Sequence, residues 1–149
     1  MTNKKQIADI ALATKIIPRL MNCFLGSFKP QLDMPIKKNE LRTLVELKIN
    51  PNEPMKFYID AVDMENGSFT YLADQLEKKG LIIKTTAQDD KRKTVMHLTD
   101  EGDKITQLIM IKFDTHIRNL FSDLDANDLD ELENSLHTLE RIYTKIQTN

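Results

Sequence analysis

The sequence predicts a mainly α-helical protein carrying one small β-hairpin, on three observations. Apolar residues recur at helical spacing through most of the chain. The period changes once, after Gly80, where Leu81-Ile82-Ile83-Lys84-Thr85-Thr86 and Thr94-Val95-Met96-His97-Leu98 form β-prone runs around a polar segment. The apolar stripes at the two ends of the chain are too long to be covered by a small domain between them. They are therefore expected to bury one another between two copies of the chain.

The elements follow in order. Ile7, Ile10, Ala11, Thr14, Ile17, Met21, Phe24 and Leu25 predict a long helix over about 5–28, with a kink or break at Pro18. Lys29-Pro30 through Met34-Pro35 is a connector, since two prolines deny it a helix interior. Leu41, Leu44, Val45 and Leu47 mark a helix from about Lys37 to Lys48. Asn50-Pro51-Asn52-Glu53-Pro54 is a loop, and Pro54 is suited to the first turn of a short helix that buries Phe57, Tyr58, Ala61 and Val62. Glu65-Asn66-Gly67 reads as a turn. Phe69, Leu72, Ala73 and Leu76 then give a helix over about 67–79, closed by Gly80. After the hairpin, Thr99 is placed to cap a helix over about 100–121, and Asp125 to cap the last one.

Composition bounds the function. With 149 residues, 40% apolar and 30% charged, the chain reads as a folded soluble protein able to bury a core without disulfides. It has no run long enough to span a membrane, and Met1-Thr2-Asn3-Lys4-Lys5 lacks the character of a signal peptide, which together point to the cytoplasm. The single cysteine, Cys23, excludes an internal disulfide framework and a multi-cysteine zinc site. His97, His116 and His137 lack ligand spacing, so no metal and no cofactor are expected. There is no Gly-rich phosphate loop or nucleophile elbow, so the chain is not expected to be an enzyme. The formal charge of −2 hides a segregation: six basic residues against two acids between Lys78 and Lys93, and seven acids without Lys or Arg between Leu120 and Glu140. Such a distribution can present a positive face to DNA despite a negative sum.

Helix, turn, helix and a two-stranded hairpin is the winged helix-turn-helix arrangement. From Gly67 onward the residues become more specific. Gly67-Ser68-Phe69-Thr70-Tyr71-Leu72-Ala73-Asp74-Gln75-Leu76 leads to Lys79-Gly80, Asp90-Lys91-Arg92 follows, and then Leu98-Thr99-Asp100-Glu101-Gly102. These blocks and their spacing resemble the MarR family of bacterial regulators, strongly over 67–102 and loosely elsewhere. The resemblance implies one MarR-type domain over 1–149. Its winged helix-turn-helix lobe would span about 36–99, with dimerisation helices at about 5–28 and 100–147. It also implies a homodimer that binds double-stranded DNA sequence-specifically at a palindromic operator, as a ligand-responsive repressor. The alternative is a winged-helix protein-interaction module with weak DNA binding or none.

In that family the second helix of the motif enters the major groove and the wing tip reaches the adjacent minor groove. Carried over, Ser68, Thr70, Tyr71, Gln75 and Lys78 are the expected helix contacts. Gln75 has the amide geometry for adenine, and Tyr71 and Thr70 can reach sugar or phosphate. At the wing, Arg92 would enter a narrow A·T-rich minor groove, Asp90 would hold it in pose, and Lys91 and Lys93 would add phosphate contacts. The sequence departs from the family in having no arginine on that helix, Tyr71 and Gln75 standing where arginine is common, so contacts are expected to lean on the wing. A small phenolic or lipophilic effector, as many members bind, would sit among Met21, Phe24, Phe28, Met34, Leu41 and Phe113. Cys23, surrounded by apolar residues, is expected to be a small buried hydrophobe rather than a redox sensor.

Overall fold

The computed structural model describes residues 4–87 and 93–147. The chain divides into two compact units, one formed by Lys29–Asp114 and the other by the residues up to Phe28 together with those from Thr115 on. The order of elements is α1 (Lys4–Ala13), α2 (Ile16–Met21), a π-helical turn (Asn22–Gly26), α3 (Lys38–Ile49), α4 (Met55–Val62), α5 (Asn66–Lys78), β1 (Ile82–Thr86), β2 (Thr94–Leu98), α6 (Asp100–Leu120) and α7 (Ala126–Gln147). This is the helical chain with one antiparallel hairpin that the periodicities predict.

In the Lys29–Asp114 lobe, α3, α4 and α5 close on a core of Leu44, Leu47, Tyr58, Ile59, Val62, Phe69, Leu72, Ala73 and Leu76. Leu81, Ile82 and Met96 of the hairpin segment and Ile109 of α6 are buried as well. The hairpin pairs Ile82 with Leu98, Lys84 with Met96 and Thr86 with Thr94, and an isolated bridge joins Pro54 to Val95. The alternation of β1 buries Ile82 and exposes Ile83.

The junctions explain the motif residues. α5 is closed by Gly80, two residues past its end at φ +72°, with the Leu81 N–H donating to the Leu76 carbonyl and the Gly80 N–H to that of Glu77. Thr99 then serves both neighbours: its hydroxyl donates to the Gly80 carbonyl at 2.6 Å and accepts from the Gly102 N–H at 3.0 Å. Gly102 is required by a close approach, because a Cβ there would lie 1.9 Å from the Leu81 carbonyl oxygen. Leu-Thr-x-x-Gly is thus the weld between hairpin and α6.

Two local readings need correction. Gly67 is not in the turn: α5 starts at Asn66, and the chain reverses at Asp63, in left-handed conformation at φ 55°, with the Met64 N–H donating back to Ile59. Pro54 does not occupy the first turn of α4 but precedes it in extended conformation.

In the other unit the predicted 5–28 helix is broken. Proline at 18 cannot donate to the Thr14 carbonyl, which instead accepts from Ile17, and the chain turns at Thr14–Lys15 between α1 and α2. Asp125 and Asp128 cap α7 reciprocally, each carboxylate accepting from the other's backbone N–H. Phe24 meets Phe121 edge-on at 5.5 Å, and Phe28 lies 5.4 Å from His116. No residue of α1, α2 or α7 is buried. Among the described residues no helix is long and apolar enough to cross a membrane.

Candidate nucleic-acid interface

The two helices of the helix-turn-helix are each tied to α3 by more than apolar packing. The Arg42 guanidinium donates to the carbonyls of Val62 and Ala61, both at 3.1 Å, closing the C-terminal end of α4. The Tyr58 hydroxyl, fully buried, donates to the Asn50 carbonyl at 2.7 Å and accepts from the Glu53 N–H at 3.2 Å. Burial raises its pKa above the ordinary 10.0, a hydrogen bond from Glu53 opposing this and the charges of Glu53 and Glu46 adding to it. Glu40, 3% exposed, caps α3 by accepting from the Lys37 N–H and pairs with Lys79 Nζ at 2.7 Å, which also donates to the Pro35 carbonyl.

With Phe69, Leu72, Ala73 and Leu76 turned inward, α5 presents Ser68, Thr70, Tyr71 and Lys78 exposed and Gln75 half-exposed. Tyr71 is 61% exposed, a large aromatic side chain with no core role. The Thr70 hydroxyl donates to Asn66 on its own helix. The two flanks of α5 differ. Toward the hairpin, Asp74 and Glu77 both pair with the Lys84 ammonium, and the Lys84 N–H donates to Glu77. Burial alone would lower the Lys84 pKa, but the two carboxylates outweigh it and raise it. Toward α3, Ser68, Tyr71 and Gln75 line an open groove of about 680 Å³ whose other wall includes Lys37, Lys38 and Glu40.

Of the sequence-expected wing residues, Lys93 is exposed just before β2. Asp90, Lys91 and Arg92 lie outside the described residues. The basic run also shrinks in effect. Lys79 and Lys84 are tied to Glu40, Asp74 and Glu77, so two of its six charges serve the lobe itself. Sequence reasoning missed these pairs because each joins residues of different elements, and it missed the part of Lys37 and Lys38 in the groove.

The six residues expected around an effector divide between the two units. Met21 is 48% exposed, and Phe24, Phe28, Met34, Leu41 and Phe113 are half-buried. Met34 lines a cleft of about 370 Å³ with Leu32, Asp33, Glu101, Lys104, Ile105 and Leu108. Cys23 is exposed, against the expectation of a buried hydrophobe. The helical segment carrying it is covered on too little of its surface within the chain. Among the described residues no group of His, Cys, Asp and Glu is placed to hold a metal ion.

A helix-turn-helix on a three-helix core, with a hairpin welded behind its second helix, defines a winged helix protein. The fold is that of the MarR family of regulators. The chain superposes on a MarR family protein from Bacillus stearothermophilus with a TM-score of 0.71 at 16% identity, covering 97% of this chain and 99% of that one. It superposes on Streptococcus pneumoniae FabT, solved in complex with DNA, with a TM-score of 0.69 at 17% identity, covering 97% and 99%. In sequence it is similar to two Bacillus subtilis helix-turn-helix transcriptional regulators. It is 33% identical to the uncharacterised YkoM over 67 residues, and 25% identical to MhqR over 107 residues, 72% of each chain. The YkoM match spans 45% of this chain and 44% of that protein. No family model matches the chain.

Proposed function

We propose that this chain is a cytoplasmic transcriptional regulator that binds double-stranded DNA as a homodimer at a palindromic operator and acts as a ligand-responsive repressor. One observation carries the reading. The second helix of a helix-turn-helix exposes Ser68, Thr70, Tyr71, Gln75 and Lys78 on its outer face, while its inner face locks into the core. A helix so fixed can enter a major groove as a rigid body. The similarity to helix-turn-helix transcriptional regulators supports the same reading. The dimer would be built by the apolar residues that α1, α2 and α7 leave exposed. The effector would be a small phenolic or lipophilic molecule.

A gel-shift series on A·T-rich palindromic duplexes with half-sites about one helical turn apart tests the DNA claim. Binding as a dimer that weakens with salt and drops sharply in Arg92→Ala supports it. Unchanged binding by Arg92→Ala removes the wing from the interface. Release of DNA on adding a phenolic compound supports the ligand response. A second reading, a protein-interaction module, is favoured by the lack of arginine on α5 and by the internal pairing of Lys79 and Lys84. Failure to bind any duplex at low salt selects it.

A further inference from the structure

We propose that Lys37 and Lys38, at the start of α3, form a phosphate clamp on the flank of the DNA-binding helix opposite the hairpin, gripping the sugar-phosphate strand beside the major groove that α5 enters. The proposal rests on the DNA-binding reading above and adds to it a second basic contact surface. Three observations converge. Lys37 and Lys38 line the same open groove as Ser68, Tyr71 and Gln75 of α5, so a strand lying against that flank of α5 meets both walls. Both lysines are exposed, and neither ammonium is ion-paired among the described residues. The one carboxylate in that wall, Glu40, is already held by Lys79 and by the Lys37 N–H, so it does not oppose an anion there.

The contrast with the other flank strengthens the argument. There Lys84 is occupied by Asp74 and Glu77, leaving the hairpin side of α5 without a spare charge from that lysine. A phosphodiester strand carries one negative charge per nucleotide and needs no base-specific geometry, which suits two flexible ammonium groups. The clamp would set the register of α5 in its groove without reading sequence. Tyr71, 61% exposed between the clamp and the outer face of α5, is placed to donate its hydroxyl to the same strand.

The test compares the full-length parent, the double variant Lys37→Gln/Lys38→Gln and the charge-restoring Lys37→Arg/Lys38→Arg. Binding is read by fluorescence anisotropy on an operator duplex and on a scrambled duplex over a salt series. The glutamine variant should melt like the parent and bind both duplexes more weakly by the same factor. Its plot of log K against log salt should be shallower by about 0.9 for each phosphate that the variant leaves without a cation. The arginine variant should recover the parental slope. A parental slope in the glutamine variant overturns the clamp while leaving DNA binding intact. So does a weakening confined to the operator, which would mean base reading, or one that arginine does not repair. A parent that binds neither duplex overturns the DNA-binding reading and the clamp together.

Discussion

The two units of this chain use amphipathic helices of similar design and bury them to opposite degrees. Every buried apolar residue among those described lies between Leu44 and Ile109, inside the Lys29–Asp114 lobe. In the other unit, Ile7, Ile10, Ile17 and Met21 of the first helices are about half exposed, and Leu136, Leu139, Ile142 and Ile146 of α7 are 41–66% exposed. Isolated exposed apolar residues need no explanation, but two repeating stripes do. The lobe has a buried core of its own, and the terminal helices leave their apolar stripes uncovered within the chain. The contrast teaches that helices of one amphipathic pattern are closed into a core in one stretch of the chain and left open in another.

The most direct way to break this contrast is to make the same kind of cut on each side. Phe69→Ala, in a fully buried site, should cost about 3–5 kcal/mol in denaturant unfolding at any protein concentration. Leu139→Ala, 52% exposed on the chain, should leave the lobe intact, its effect appearing as a concentration-dependent shift to monomer in sedimentation velocity. A concentration-independent loss at Leu139 would mean that the terminal helices do not form an interface.

Next in size is the buried pair that joins α3 to α5. Glu40→Gln leaves Lys79, 23% exposed, without its anion and weakens the cap on α3, which should cost about 3 kcal/mol. Replacing both partners by methionine should recover much of it, because the desolvation penalty disappears with the charges. A fully additive double variant would show that the pair is not a pair.

Tyr58→Phe removes a buried hydroxyl that both donates and accepts, and should cost about 1–2 kcal/mol. The pH dependence has a definite sign. A phenol whose pKa is raised on folding holds its proton more tightly in the folded state. Its contribution is complete below 10.0 and is lost as the pH rises through that value toward the folded one. The phenylalanine variant should lack that alkaline decline in stability.

The smallest effect should be a gain. Asp63 turns the helix-turn-helix with φ 55°, a conformation glycine adopts without a Cβ penalty, so Asp63→Gly should stabilise the lobe by about 0.5–1 kcal/mol. A decrease in stability there would show that the Asp63 side chain contributes more than its backbone strain costs.

By itself the sequence determined the element order, because helical and β periodicity, Gly80, Thr99 and Asp125 are signals carried by a few adjacent residues. It also determined the face that α5 offers, since Phe69, Leu72, Ala73 and Leu76 leave only one side outward. Local rules reached the break caused by Pro18 but misplaced it at the proline, when the chain turns at Thr14–Lys15, where the Thr14 carbonyl loses its Pro18 donor and accepts from Ile17 instead. Only the tertiary structure decided which charges remain available. Lys79 and Lys84 are no different in sequence from Lys37 and Lys38, yet the first two are tied to Glu40, Asp74 and Glu77, and the second two line an open groove. Tertiary structure likewise decided that Gly102 must be glycine, through a close approach to Leu81 that no local pattern encodes. Periodicity is written within one turn or one pleat, whereas charge compensation and close approach depend on residues of different elements that only folding brings together.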